Sequence, residues 1–307
     1  MIKGFCSVAA NTCMELPLST NLSLAQRSAV LFMMTLPFAG HALQHYEAGI
    51  EEVKWTVSAS AVQCELKQQI PRFGEAVFMQ SAGGELSFVV KVDQPPVNDS
   101  VALLYSSPPY WKPDIVPREL SRSPLMKGKT PVYFSRKVAL RMLYELDQGM
   151  QPSLHFRDWA DETEDVSVAV STVHFRDFWP EFVSCQTQLL PFGFDDVKSS
   201  SMLFDSGSAR LKSSSKRLLD RIALYVSKDP SVKRLKITGF TDSIGFRYLN
   251  QLLSNRRARL VSKYLISKGV PKEKLSIQGQ GERRPKLSNA SVKGRRYNRR
   301  VQVQLYR

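Results

Sequence analysis

The last third of the chain alternates two periods of hydrophobicity, and that alternation confines it to one class of architecture. Runs at Ser199 to Phe204, Val232 to Thr238, Leu275 to Gln278 and Arg299 to Tyr306 read as strands. Two helical periods lie between the first three. Ser208 to Lys228 puts Leu211, Leu218, Leu219, Ile222 and Val226 on one side, and Phe246 to Lys268 carries a stripe of Phe246, Leu249, Leu253, Leu260 and Tyr264. Gly269 and Pro271 stop the second helix. The order β-α-β-α-β-β predicts an open mixed sheet with its helices on one face.

From Trp55 to about Leu190 the pattern changes. Short runs rich in β-branched and aromatic residues (Ala76 to Met79, Leu86 to Val92, Val101 to Tyr105, Val166 to Val173) are separated by Gly83-Gly84, Pro95-Pro96 and Pro108-Pro109, which predicts a mainly antiparallel β domain. Two helices interrupt it. Ser135 to Gln148, stopped by Gly149, would bury Val138, Leu140, Leu143, Tyr144 and Leu146, and a second runs near Phe178 to Leu190. The tract SSPPYWKP is expected to form a rigid surface loop with Tyr110 and Trp111 packed against the domain. The fold class is therefore α+β, and 307 residues at 43% hydrophobic composition are enough for two cores.

The net charge of +15 is distributed unevenly. Residues 1–194 carry 16 Lys and Arg against 20 Asp and Glu, whereas residues 195–307 carry 27 against 8. Such a basic C-terminal half seeks an anionic surface: nucleic acid, acidic lipid headgroups or the carboxylate-bearing peptides of a cell wall. No helix-turn-helix, zinc-finger or RNP pattern accompanies the charge, so a nucleic-acid partner is not expected.

Ala29 to Ala42 reads AVLFMMTLPFAGHA, an apolar run of secretory-signal length ending in small residues, and cleavage after Ala42 is expected. No other stretch approaches the roughly 20 apolar residues of a membrane span. Removal of the leader takes Cys6 and Cys13 with it. Cys64 and Cys185 then remain, one possible bridge in an exported protein, with two buried thiols as the alternative. The scattered histidines support neither a metal site nor a cofactor.

The chemistry concentrates between Lys236 and Val303. Asp242 lies at the tip of a strand-to-helix loop, and Arg256 and Arg257 both fall within the apolar stripe of the helix that follows. An arginine there must be paired or reach a rim, and a helical wheel does not say which of the two faces a ligand. An aspartate in such a loop is commonly a helix N-cap, a task that Ser243 could perform instead. Asp242 lacks a second carboxylate at useful spacing, and neither Cys64 nor Cys185 has a histidine suited to a nucleophilic pair, so catalysis is not expected.

The motifs TGFTD, LSNRRA with Asn250 four residues before Ser254, GERRP and NRRV resemble, in order and spacing, the OmpA-like peptidoglycan-binding domain. Upstream, CELKQQIPRFGEAVF, SSPPYWKP, LRMLYELDQGMQPSLHFRDW and Cys185 resemble the MotY family, periplasmic T-ring proteins of sodium-driven polar flagellar motors. The resemblance implies a leader at 1–42, a β-rich domain at 43–192 and a peptidoglycan-binding domain at 193–307. It assigns Arg257 as the ligand-binding arginine. It implies that Asp242 and Arg257 hold the diaminopimelate of an uncrosslinked stem peptide, ammonium on the aspartate and carboxylate on the arginine. Gly239, Phe240 and Thr241 would shape the loop, and Asn250 and Asn298 would orient or contact the ligand. Arg295, Arg296, Arg299 and Arg300 are expected only to attract wall carboxylates. MotX, the basal body and a PomA/PomB-type stator are the implied partners, at the outer-membrane side of the periplasm. A general envelope tether with no motor role is the alternative.

Overall fold

The computed structural model describes residues 43–98, 100–159 and 164–307; the expected leader, its cleavage point, Cys6 and Cys13 lie outside them. The N-terminal part contains β1 (Leu43–Tyr46), β2 (Trp55–Ala59), β3 (Gln63–Ile70), β4 (Gly74–Ser81), β5 (Ser87–Val92), β6 (Ser100–Ser107), β7 (Arg118–Leu125), β8 (Val132–Phe134), α1 (Arg136–Asp147), β9 (Gln151–Arg157), β10 (Asp165–Ala169) and α2 (Phe175–Thr187). One sheet runs β2-β3-β4-β5-β8 and is antiparallel. The other runs β1-β10-β9-β6-β7 and is antiparallel apart from the β1–β10 pair.

Both sheets feed one core, because their strands alternate. On β3, Cys64, Leu66, Gln68 and Ile70 are buried while Gln63, Glu65, Lys67 and Gln69 lie toward the surface. The buried Gln68 amide exchanges two hydrogen bonds with the Ser171 backbone, at 2.9 and 2.8 Å, so its polar atoms are satisfied. The Cys64–Cys185 disulfide is present and ties β3 to α2 with the Cα atoms 5.9 Å apart.

Two expectations fail here. α1 buries Ala139, Met142, Leu143, Glu145 and Leu146, whereas Leu140 and Tyr144 are exposed. A wheel that counts apolar residues alone misses Glu145, whose carboxylate takes Arg118 at 2.8 Å, Arg141 at 2.7 Å and the Ser106 hydroxyl at 2.6 Å, drawing that arc inward. Tyr110 and Trp111 do not pack against the domain. They are 78% and 44% exposed and meet edge to face at 4.9 Å, in a turn closed by the Lys112 N–H on the Pro109 carbonyl.

The C-terminal part contains α3 (Phe194–Val197), β11 (Ser199–Leu203), α4 (Ser213–Lys228), β12 (Arg234–Gly239), α5 (Arg247–Ser267), β13 (Leu275–Gly279), α6 (Val292–Asn298) and β14 (Arg300–Tyr306). The sheet order β11-β14-β12-β13 is mixed: β12 and β13 are parallel, and β14 is antiparallel to both its neighbours. Val301, Val303 and Leu305 alternate with Gln302 and Gln304, and they share a core with Leu219, Ile222 and Val226 of α4 and Ala258, Val261 and Leu265 of α5. The helices thus cover one face.

α4 starts five residues later than its periodicity predicts, leaving 208–212 as a loop. α6, short and polar, has no counterpart in the sequence reading; Ser291 caps it by accepting the Gly294 N–H at 3.0 Å. The two cores meet through backbone. A Cβ on Gly83, which sits at φ +67°, would fall 2.5 Å from the Gly193 nitrogen, and one on Gly193 would fall 2.4 Å from the Ala82 carbonyl.

Candidate functional site

β12 ends at Gly239, and the chain turns through Phe240, Thr241 and Asp242 before α5 begins. Gly239 pairs in register with Gly279 of β13. A Cβ on Gly239 would lie 2.1 Å from the Ser254 carbonyl, and one on Gly279 would lie 2.4 Å from Asn255 Oδ1. Two glycines therefore let α5 rest directly on the strand ends. The helix turns Asn250, Ser254 and Arg257 inward, followed by Ala258, Val261, Ser262 and Leu265. The expected stripe is wrong in its first turns: Phe246 and Leu249 are 78% and 55% exposed. The polar half of the true face serves the loops, so an apolar count selects the wrong arc.

Arg257 is fully buried, whereas Arg256 is exposed. Its Nε donates to the Ser208 carbonyl at 2.8 Å, Nη1 to Phe240 at 3.1 Å and Nη2 to Asp205 at 2.9 Å. It thereby clasps loop 205–208 and the β12–α5 loop to one helix. Burial pushes the guanidinium down to about 10, against the pull of the Asp242 charge, so it stays cationic at neutral pH.

Asp242 is 5% exposed. It is not an N-cap, and neither is Ser243, since the capping position is Phe246. One carboxylate oxygen accepts the Ile244 N–H at 3.4 Å, and the other meets Arg299 Nη1 at 2.7 Å. Arg299 is thus a specific partner of the site rather than a diffuse attractant. Arg300 departs from expectation too. It is 7% exposed, lies 3.9 Å over the Phe240 ring and donates from Nη2 to the Arg284 carbonyl. Its Nη1 and the hydroxyl of Thr241 are buried without a hydrogen-bond partner.

Asn250 donates to the Ile244 carbonyl and to Glu282, each at 3.1 Å, bracing the Asp242 loop. Asn298 is turned elsewhere: it accepts from the Lys286 and Leu287 N–H groups and donates to the Leu287 carbonyl and Asn289, pinning loop 286–289. Sequence reasoning missed Arg299, Arg300 and Glu282. NRRV carries a usable signal, because two arginines in succession at a strand start project to opposite sides and only one can reach solvent freely. Among the described residues no three His, Cys, Asp or Glu side chains converge as a metal site, and no helix is long and apolar enough to cross a membrane.

A β-α-β-α-β-β unit with these loops defines the OmpA family, which matches residues 203–299, while the MotY N-terminal domain matches residues 46–191. The chain belongs to the MotY family: it is 30% identical over 267 residues to the sodium-type flagellar protein MotY of Vibrio parahaemolyticus, covering 86% of this chain and 91% of that one. The C-terminal part is 34% identical over 115 residues to outer membrane protein A of Bordetella avium, 38% of this chain and 59% of that protein. Among solved structures, the peptidoglycan-associated lipoprotein of Burkholderia pseudomallei is 25% identical over 34% of this chain and 89% of that one, with a TM-score of 0.33.

Proposed function

We propose that this protein is a noncatalytic periplasmic component of a flagellar motor ring that grips peptidoglycan through Asp242 and Arg257. One observation carries the reading: a nearly buried carboxylate whose single ion-pair partner, Arg299, has a side chain 16% exposed, next to a buried guanidinium. The ammonium of a diaminopimelate residue takes the place of Arg299 on Asp242. Arg257 commits three of its N–H donors to carbonyls; a guanidinium has five, which leaves two that the departure of Arg299 from Asp242 would open to the ligand carboxylate. The unpartnered Thr241 hydroxyl and Arg300 Nη1 flank the same loop and supply further polar atoms. Gly239, Phe240 and Asn250 hold the loop, and Asn298 acts at one remove through loop 286–289.

Each grip is modest, and many domains on one sacculus hold by avidity. The domains are taken as 43–192 and 193–307. The N-terminal domain docks on the basal body with MotX, at the outer-membrane side, and helps hold PomA/PomB-type stator units. The test uses isolated sacculi and purified basal bodies. Asp242→Asn should abolish sedimentation with sacculi while the melting temperature stays within a few degrees, and the wild-type protein should copurify with basal bodies. Undiminished sedimentation of the variant refutes the site, and normal swimming after deletion of the gene leaves a plain envelope tether.

A further inference from the structure

A second charged feature lies on the outer side of α5, away from the residues that face Asp242. Loop 207–210 and the helix enclose a groove of about 750 Å³. Leu252 and Leu260 supply its apolar surface, and Arg210, Arg256, Arg259 and Lys263 surround it. No carboxylate lines it. Its wall is held in place, since Arg257 bonds the Ser208 and Asp205 carbonyls from the inside.

Four cations on one groove reflect a domain in which residues 195–307 carry 27 Lys and Arg against 8 Asp and Glu, so carboxylates to pair with them are scarce. Five of the domain's six aspartates are already claimed by cations, Asp195 by Lys198, Asp205 by Lys212, Asp220 by Lys268, Asp229 by Arg307 and Asp242 by Arg299, and the sixth, Asp196, accepts the Gly193 N–H. Among the described residues none of the four groove cations forms an ion pair. The groove therefore presents four cations with no internal partner to another molecule.

We propose that this groove is a docking site for a carboxylate-rich peptide segment. Arg256, Arg259 and Lys263 recur along about 10 Å of helix, a span that an extended peptide covers in about three residues, with alternate side chains about 6.6 Å apart on one side. The two leucines give such a segment a place for one apolar side chain, and the walled shape suits a single chain better than the flat face of a bilayer. Arginine favours carboxylate through its forked N–H geometry. The site is independent of the Asp242 grip and adds a second kind of partner to the domain.

The test is fluorescence anisotropy of a fluorescein-labelled Leu-Glu-Glu-Leu-Glu-Glu peptide with the purified protein at low salt. The double variant Arg259→Glu/Lys263→Glu should weaken binding by about tenfold or more. Arg259→Gln/Lys263→Gln, which removes charge without reversing it, should give an intermediate loss. Asp242→Asn should leave peptide binding unchanged, which separates this site from the peptidoglycan site. Lys216→Glu/Arg217→Glu, on the exposed side of α4, controls for net charge and should cost much less. An equal loss from the control pair, no loss from the groove variants, or binding of phosphatidylglycerol vesicles in place of the peptide would each overturn the proposal.

Discussion

Arg257 has two duties that a single substitution disturbs together. Three carbonyls depend on its guanidinium, so Arg257→Ala should destabilise the C-terminal domain by at least about 2 kcal/mol besides weakening ligand binding. Thermal melts followed by circular dichroism will show it, and an unchanged melt would mean that the clasp contributes nothing. Asp242→Asn keeps the shape and removes the charge, which makes it the cleaner probe of binding. At this scale the sequence was only partly legible. The wheel left Arg256 and Arg257 equivalent and the family resemblance chose between them; burial now separates them sharply. Arg299 was misread because an ion pair between positions 57 residues apart has no local signature.

Among the elements, the seat of α5 on β12 and β13 is sensitive to a single methyl group. Gly239→Ala would drive a Cβ into the Ser254 carbonyl, and the expected cost is about 1–3 kcal/mol or more, with loss of sacculus binding; an alanine variant that melts and binds like wild type would show that the helix has room to move. The end of α4 offers a pH test. Asp229 is buried, which alone would raise its pKa, but hydrogen bonds from Ser231, Tyr225 and Arg307 outweigh that and hold it below the ordinary 3.8. A depressed carboxylate stabilises the fold at pH values above its unfolded value, and that stabilisation disappears as pH falls through the folded one. Asp229→Asn should therefore cost about 1 to 2 kcal/mol at pH 7, with the gap closing as pH falls below the ordinary 3.8 and through the lowered folded value; a gap that persists in strong acid would contradict it. Strong periodicity made most elements readable, including both ends of α5 to within a residue or so. The burial arcs of α1 and α5 were not readable, because Glu145, Asn250 and Arg257 are polar side chains drawn inward by partners far away in sequence.

On the scale of the whole molecule, a disulfide staple holds the β-rich part and a strongly basic part follows it. Cys64→Ser/Cys185→Ser should abolish the mobility shift on a nonreducing gel and lower stability by up to about 4 to 5 kcal/mol in the chain-entropy picture, read as the melting temperature with and without reductant; an equal melt for both forms would show the bridge to be dispensable. The cysteine pairing and the charge split were legible because counting suffices for both. The contact of Gly83 with Gly193 was invisible, since each glycine looks locally like an ordinary turn residue. What remains is the grip itself. Titration of the isotopically labelled protein with a muramyl tripeptide containing diaminopimelate, followed by NMR, should perturb Thr241 and Asp242 and release the Arg299 side chain from its carboxylate. Perturbations centred elsewhere, or an Arg299 signal that never moves, would contradict a wall anchor built on Asp242 and Arg257.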